Sequence, residues 1–332
     1  MLALVTGAGG FLGRYVAEML IARGDRVRSL SRSRYSFLDD LGVQQFEADL
    51  LDEATLKKAS SGVDVVFHTA AIAGIGGRRA DFVNTNVRGT LNVIAACRAA
   101  QVPKLVYTSS PSVTFAGRDQ CGIEESAPYP ERFLADYPAT KAEAERQVLL
   151  EQGQHGVYAC ALRPHLIWGP RDQHLIPRLL ERARRGQLRR VGDGKNLVDT
   201  VYVENAAEAH LQAADALVPG SPVCGQAYFI SQGQPVNCWD WINEILSLAN
   251  LPPVTQSISY RNAYAVGAVL ETASWLLGRT DEPRMTRFLA AQLATSHWFD
   301  ITRAQNDFGY RPRVSMEEGL RRLGQWLRQP ER

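Results

Sequence analysis

Residues 2–13 read "LALVTGAGGFLG", and this stretch restricts the fold more than any other. "LALVT" is a continuous apolar run with β-compatible residues, as a strand buried on both faces requires. Gly7, Gly10 and Gly13 then separate it from the helical pattern "FLGRYVAEMLIARG". Gly7 permits a tight turn, Gly10 lets a pyrophosphate approach the backbone, and Gly13 lets the helix pack closely on the strand. A phosphate there meets free N–H groups and the positive end of the helix, where Phe11 and Leu12 stand. A lone glycine motif is weak evidence. A strand before it and a helix after it are the context that makes it a dinucleotide site.

The following residues keep the same alternation. "RVRSLS" (26–31), "VQQFEAD" (43–49), "VDVVFHTAA" (63–71), "KLVYTSS" (104–110) and "VYACALRP" (157–164) read as strands, and 81–100 as a long amphipathic helix. Alternating strands and helices predict an α/β fold, a Rossmann-type doubly wound parallel sheet with helices on both faces. Ligands of such sheets bind at the carboxyl ends of the strands. Beyond 165 the pattern weakens. "LVDTVYV" reads as a strand, "ENAAEAHLQAADAL" as a helix and "QAYFIS" as a strand. The expected organisation is a nucleotide-binding domain over 1–170, rejoined by 196–231. A smaller, mainly helical substrate lobe then comprises 171–195 and 232–332.

The second strand indicates which dinucleotide to expect. An NAD site carries an acid at its end for the ribose diol. Here Ser31 stands in that place, followed by Arg32 and Arg34. Guanidinium groups pair with phosphate, so NADP(H) is the expected cofactor. Asp49 and Leu50, after the third strand, fall near the adenine. Ala70 and Ala71, after the fourth, let the cofactor pass close.

"DYPATKAEAE" (136–145) looks like an ordinary helix start, with Asp136 as cap and Pro138 in the first turn. It also places Tyr137 and Lys141 one turn apart on one face. The chain has 11 tyrosines and only five lysines among its 37 basic residues, so fewer than one such pair is expected by chance. Carbonyl reduction adds hydride to carbon and a proton to oxygen. A tyrosine can give that proton, and a nearby ammonium is expected to lower its pKa from about 10. Lys141 can also reach the nicotinamide ribose. Ser110, at the end of the fifth strand, can hold the substrate oxygen, and Ser109 beside it falls against the cofactor.

Composition excludes other classes. A net charge of +2 points to neither nucleic acid nor an acidic partner. Five cysteines form no CxxC pair, which fits reduced thiols and a cytoplasmic location. The histidines show no zinc spacing, and no metal is expected. "MLALVTGAGG" lacks the features of a secretory leader. The apolar segment 262–278 is interrupted by Glu271 and falls short of a span of about 20 residues, so it is expected to be a packed helix. Peripheral contact with a membrane or another enzyme of the pathway is the secondary expectation.

"TGAGGFLG", "FHTAA", "NTNVRGT", "YTSSPSV" and "YPATK" together resemble the extended short-chain dehydrogenase/reductases. "LRPHLIWGPRD", "GDGKNLVDTVYVENAAEAH" and "FDITRAQNDFGYRPRVSMEEGL" resemble the 3β-hydroxysteroid dehydrogenase branch of that superfamily. Within it, "VGDGKNLVD" and "TRFLAAQLATSHWF" look most like the bacterial 2-alkyl-3-oxoalkanoate reductases of olefin biosynthesis. The resemblance implies catalytic Ser110, Tyr137 and Lys141, and it places Pro164, His165 and Leu166 beside the nicotinamide. Asn86 resembles the branch's helix asparagine, which organises the active site. Dehydratase members carry Asp-Glu after the catalytic hydroxyl, where this chain has Pro111 and Ser112. The implied reaction is NADPH-dependent reduction of a small apolar keto substrate, a 2-alkyl-3-oxoalkanoate. The alternatives are a hydroxysteroid or sterol dehydrogenase, a sugar-nucleotide epimerase and a non-catalytic NADP-sensing scaffold. Phe115, Trp168, Tyr202 and Trp298 are candidate pocket aromatics, and the arginines of 178–190 candidate anion partners. The resemblance also implies a homodimer through helices 81–100 and 136–152.

Overall fold

The computed structural model describes residues 1–74 and 76–329; the last three residues of the expected substrate lobe lie outside the described residues. Seven strands form one parallel sheet. From edge to edge they are Ala227–Ile230, Tyr158–Pro164, Lys104–Thr108, Val65–His68, Leu2–Thr6, Arg26–Ser31 and Gln44–Glu47. The order reverses beside Leu2–Thr6, so the first strand lies at the switch point of the sheet, where ligands bind. Thr6 is level with Leu30 on one side and His68 on the other. The functional segments therefore leave the sheet along one edge.

Alternation along each strand divides the core. Ala3, Val5, Val65, Phe67 and Val106 pack with the helices Phe11–Ala22 and Val203–Ala216. Leu4, Val66, Leu105 and Tyr107 face the other way, against Glu53–Ser60, Gly89–Ala100 and Asp136–Leu150. Successive side chains of a strand point to opposite faces, so a strand covered on both must be apolar throughout.

A third core lies in the C-terminal half. The helices Leu175–Arg184, Cys238–Leu248, Tyr260–Leu276, Arg287–Ala294 and Met316–Leu327 surround Trp168, Trp239, Trp241 and Ile245.

Several segments differ from the sequence reading. "LVDTVYV" is not one strand. Leu197–Val198 joins a small four-stranded sheet, whereas Val201–Tyr202 pairs with Ile167–Trp168. Between them Asp199 is buried and its carboxylate accepts the Phe299 N–H at 2.9 Å, which turns the chain. The helix expected over 81–100 starts at Arg79, widens into π-type turns over Val83–Arg88 and resumes at Gly89. Phe299, Ile301, Ala304 and Tyr310, assigned above to the substrate lobe, pack in the core of the large sheet. The strand His297–Phe299 pairs with Gln120–Ile123, tying the late chain to the early one. The apolar segment lies in the helix Tyr260–Leu276, of which only Ala263 and Gly267 are buried, and Trp275, Leu276 and Leu277 stand exposed. Among the described residues no helix is long and apolar enough to cross a membrane.

Candidate active site

A cleft of about 560 Å³ runs along the carboxyl edge of the sheet. Its floor is the glycine turn. Gly7 has a φ of +75°, and a Cβ there would come 2.9 Å from Ala70 Cα. A Cβ on Gly13 would meet Thr69 Oγ1 at 2.7 Å and the Gly7 carbonyl carbon at 2.8 Å. Neither position has room for a side chain, and Gly7 also needs a backbone conformation that L residues rarely adopt. Phe11 opens the first helix and lines the cleft with Gly10 and Leu12.

Ser31, Arg32, Asp49, Leu50, Ala70 and Ala71 line one end of this cleft. Ser109, Ser110, Tyr137, Lys141, Pro164 and Leu166 line the other. Two expected cofactor residues lie elsewhere. The Arg34 guanidinium is turned to Asp39, donating at 3.0 and 2.7 Å, and it is not part of the cleft wall. Asn86 is buried behind the wall. Its amide oxygen accepts the Ile72 N–H at 2.9 Å, and its amide nitrogen donates to the Ile72 carbonyl at 3.1 Å and to Thr140 Oγ1 at 3.2 Å. Asn86 thus ties a cleft-lining segment to the helix Asp136–Leu150, acting through position rather than by contact.

That helix starts differently from expectation. Ala135 occupies the cap position and makes no side-chain cap bond; Asp136 is the first helical residue and pairs with Arg79 at 3.1 Å. Tyr137 and Lys141 still face the cleft together. Ser110 caps the short turn Pro111–Thr114, and its hydroxyl lies 2.9 Å from that of Ser112. The Lys141 ammonium donates to the Thr108 carbonyl and stands 4.1 Å above the Tyr107 ring.

The electrostatics correct one expectation. Burial pushes the Tyr137 phenol above its ordinary value, with the Ser110 hydroxyl pulling the other way. Burial brings Lys141 down to about 7, opposed by Glu145 one turn along the helix. A lysine held near neutrality is only partly charged, which weakens the draw on Tyr137 expected from its spacing. This has a consequence for pH. The unfolded lysine keeps its proton up to about pH 10, so between about pH 7 and 10 the unfolded chain binds more protons and stability rises with pH. Lys141→Met is expected to remove that contribution. Urea midpoints of both proteins across this window would test it; parallel pH profiles would contradict the shift.

Sequence reasoning missed the second chamber. A space of about 680 Å³ opens from the cleft, with Tyr137, Leu166, Leu175, Phe288 and Gln292 in both walls. Trp239, Trp241, Ile242 and Leu289 line it further in. The aromatics chosen from sequence are not there. Trp168 and Tyr202 are fully buried against each other beneath Gly319, Phe115 backs Phe288 edge-on at 5.9 Å, and Trp298 packs over Gly122. The period of "TRFLAAQLA" marks a helix but not what that helix faces.

His165 is fixed as a neutral ring. His297 Nε2 lies 2.8 Å from the Gln292 carbonyl, which can only accept. His297 Nδ1 is therefore bare, and the 2.7 Å contact requires the proton on His165 Nε2. Burial holds both rings below their ordinary values.

The cleft suits a dinucleotide on its own chemistry. Two buried hydroxyls, Ser31 Oγ and Ser109 Oγ, have no partner among the described residues, one at each end of the cleft. Buried polar atoms are ordinarily satisfied, so both point to a polar ligand.

Comparison with known proteins adds four findings. The profile of the 3-beta hydroxysteroid dehydrogenase/isomerase family matches residues 4–254. A 2-alkyl-3-oxoalkanoate reductase of Shewanella oneidensis is 52% identical over 97% of this chain and 85% of its own. A sterol-4-alpha-carboxylate 3-dehydrogenase, decarboxylating, of Mus musculus is 34% identical over 97% and 89%. Among solved structures, MoeE5 in complex with UDP-glucose and NAD superposes with a TM-score of 0.75, at 25% identity over 99% of both chains.

Proposed function

The chain belongs to the 3-beta hydroxysteroid dehydrogenase/isomerase family, and from that membership we propose that it reduces 2-alkyl-3-oxoalkanoates to the 3-hydroxy acids with NADPH. It is an oxidoreductase acting on a CH–OH/C=O couple. The observation that carries the finer reading is the place of Tyr137. It stands in both walls, where the dinucleotide cleft meets an apolar chamber. A carbonyl held at that junction has its long substituents in the chamber.

A nicotinamide dinucleotide held in the cleft would supply the hydride. The residues of this chain do the rest. Ser110 Oγ donates to the carbonyl oxygen and orients it. Burial keeps the Tyr137 phenol protonated at neutral pH, so it can give its proton to that oxygen as negative charge develops. Lys141 sits one turn along, in the cleft wall beside the Thr108 carbonyl. The chamber, walled by Trp239, Trp241 and Leu289, gives the long substituents an apolar surround.

NADP(H) is preferred because Arg32, not an acid, follows Ser31 in the cleft. Arg32→Ala is expected to weaken NADPH binding about 30-fold while NADH affinity changes little, since a charge-assisted bond is worth about 2 kcal/mol. Equal losses for both dinucleotides would remove Arg32 from this role.

The test of the function itself is turnover. The protein with NADPH should convert a 2-alkyl-3-oxoalkanoate to the alcohol. Oxidation of a hydroxysteroid without any turnover of the hydroxy acid would favour the sterol reading, which the mouse relative supports. A homodimer through the helices Gly89–Ala100 and Asp136–Leu150 fits the exposure of Leu91 and Leu150, and the five free thiols fit the cytoplasm.

A further inference from the structure

The chamber has an unusual charge pattern for an apolar space. Four arginines line it, Arg178, Arg182, Arg189 and Arg284, and among the described residues no acid does. Two of them sit on the helix Leu175–Arg184. Leu175, Arg178, Leu179 and Arg182 follow the i, i+3, i+4, i+7 spacing of one helix face. That face begins at the wall shared with the cleft and runs into the chamber. Arg178 starts about 4.5 Å along the axis from Leu175, close to the reacting end.

A carboxylate of the chain itself already lies on this pair. Glu282 is bound by Arg178 Nη1 at 2.7 Å, and Arg182 Nη2 stands 3.9 Å from the same carboxylate. Its segment passes over the loop at Gly74 and Gly76; a Cβ on Gly76 would come 2.5 Å from Glu282 Cα. The arginines are far from saturated. A guanidinium has five N–H donors. Arg178 engages Glu282 through one nitrogen, and Arg182 has no partner within hydrogen-bond distance among the described residues. Two cations share one anion, with 39% of the Arg178 side chain and 22% of the Arg182 and Glu282 side chains exposed, so a second carboxylate can reach them. Burial and the neighbouring Arg178 both push Arg182 below its ordinary value.

We propose that Arg178 and Arg182 form the carboxylate-binding subsite of the chamber, and that Glu282 is an internal carboxylate which the substrate's own carboxylate replaces. The proposal rests on the keto-acid reading above and names the group that reading left unassigned. A 3-oxo acid carries its carboxylate two carbons from the carbonyl, so a clamp beginning one turn from the shared wall can hold one end while Tyr137 addresses the other. The alkyl chains then lie against Trp239, Trp241 and Leu289. A neutral ketone of the same size gains nothing from the clamp.

The test is binding without turnover. Decanoate and decan-1-ol are titrated against the full-length protein by quenching of Trp239 and Trp241, with NADPH affinity as a check on folding. Decanoate is expected to bind more tightly than the alcohol. Arg178→Met and Arg182→Met should each weaken decanoate about 30-fold and decanol by much less. Arg182→Met is the safer variant because it breaks no hydrogen bond to Glu282. Glu282→Gln should strengthen decanoate about fivefold by removing the competitor. Equal losses for acid and alcohol, or weaker decanoate binding by Glu282→Gln, would overturn the subsite. If decanoate behaves as expected but no 2-alkyl-3-oxoalkanoate is reduced, the subsite stands and the keto-acid reading falls. If the keto acid is reduced and neither arginine variant raises its KM, the subsite falls alone.

Discussion

Tyr137→Phe is expected to lower kcat for carbonyl reduction by about 1,000-fold, because positioned general acids contribute about 100- to 10,000-fold. The substitution removes one oxygen and leaves the ring in place between the cleft and the chamber. Dinucleotide affinity should therefore stay within about twofold, since the glycine turn and the ends of the other strands are untouched. Steady-state kinetics and a fluorescence titration with NADPH separate the two effects. Turnover at the parental rate would remove Tyr137 as proton donor. A parallel loss of cofactor binding would mean that the variant had disturbed the cleft.

The largest expected effect on stability lies one layer below the site. Arg163 donates to Glu145 at 2.9 and 2.7 Å, with 3% and 0% of the side chains exposed. Tyr129 adds a third bond to Glu145 at 2.6 Å. Arg163→Met leaves a fully buried carboxylate without its cation, which costs about 3–5 kcal/mol. Removing both partners with Glu145→Met and Arg163→Met should recover much of that, because a buried pair gives little net stability over apolar side chains. Urea unfolding of the single and double variants measures the difference. A single variant as stable as the parent would show that the pair does not carry the charge balance argued for it. Glu145 is also one turn beyond Lys141, so the single variant disturbs the lysine that burial and Glu145 pull in opposite directions.

Some of this was legible because it is local. The turn at Gly7–Gly13 joins a strand to a helix within a dozen residues, and backbone sterics fix its form. The strand ends Ser31, Ala70 and Ser110 follow apolar runs whose period is read directly. Asp136 as a cap was a local inference that failed, since Ala135 precedes it and the carboxylate found Arg79 instead. Arg34, too, has a carboxylate of its own neighbourhood. A guanidinium after the second strand has more than one anion in reach, and Asp39 is bound to it here.

The substrate side was much less legible. Trp168, Tyr202, Phe115 and Trp298 are aromatic and follow plausible elements, yet three of them are core and the fourth covers a glycine. The chamber is walled by helices spread over more than a hundred residues of the chain, Leu175–Arg184, Cys238–Leu248 and Arg287–Ala294. Periodicity marks the apolar face of each helix but not the faces that meet it.

The sequence by itself determined the parallel sheet, the phosphate-binding turn, and the spacing of Tyr137 and Lys141, because each depends on neighbours in the chain. The tertiary structure decided the rest. It held Lys141 near 7 by burial, put Asn86 behind the cleft wall, fixed the tautomers of His165 and His297, and brought Arg178, Arg182 and Glu282 together at an apolar chamber. Those outcomes depend on desolvation and on groups distant in the chain, and both arise only when the elements have packed together.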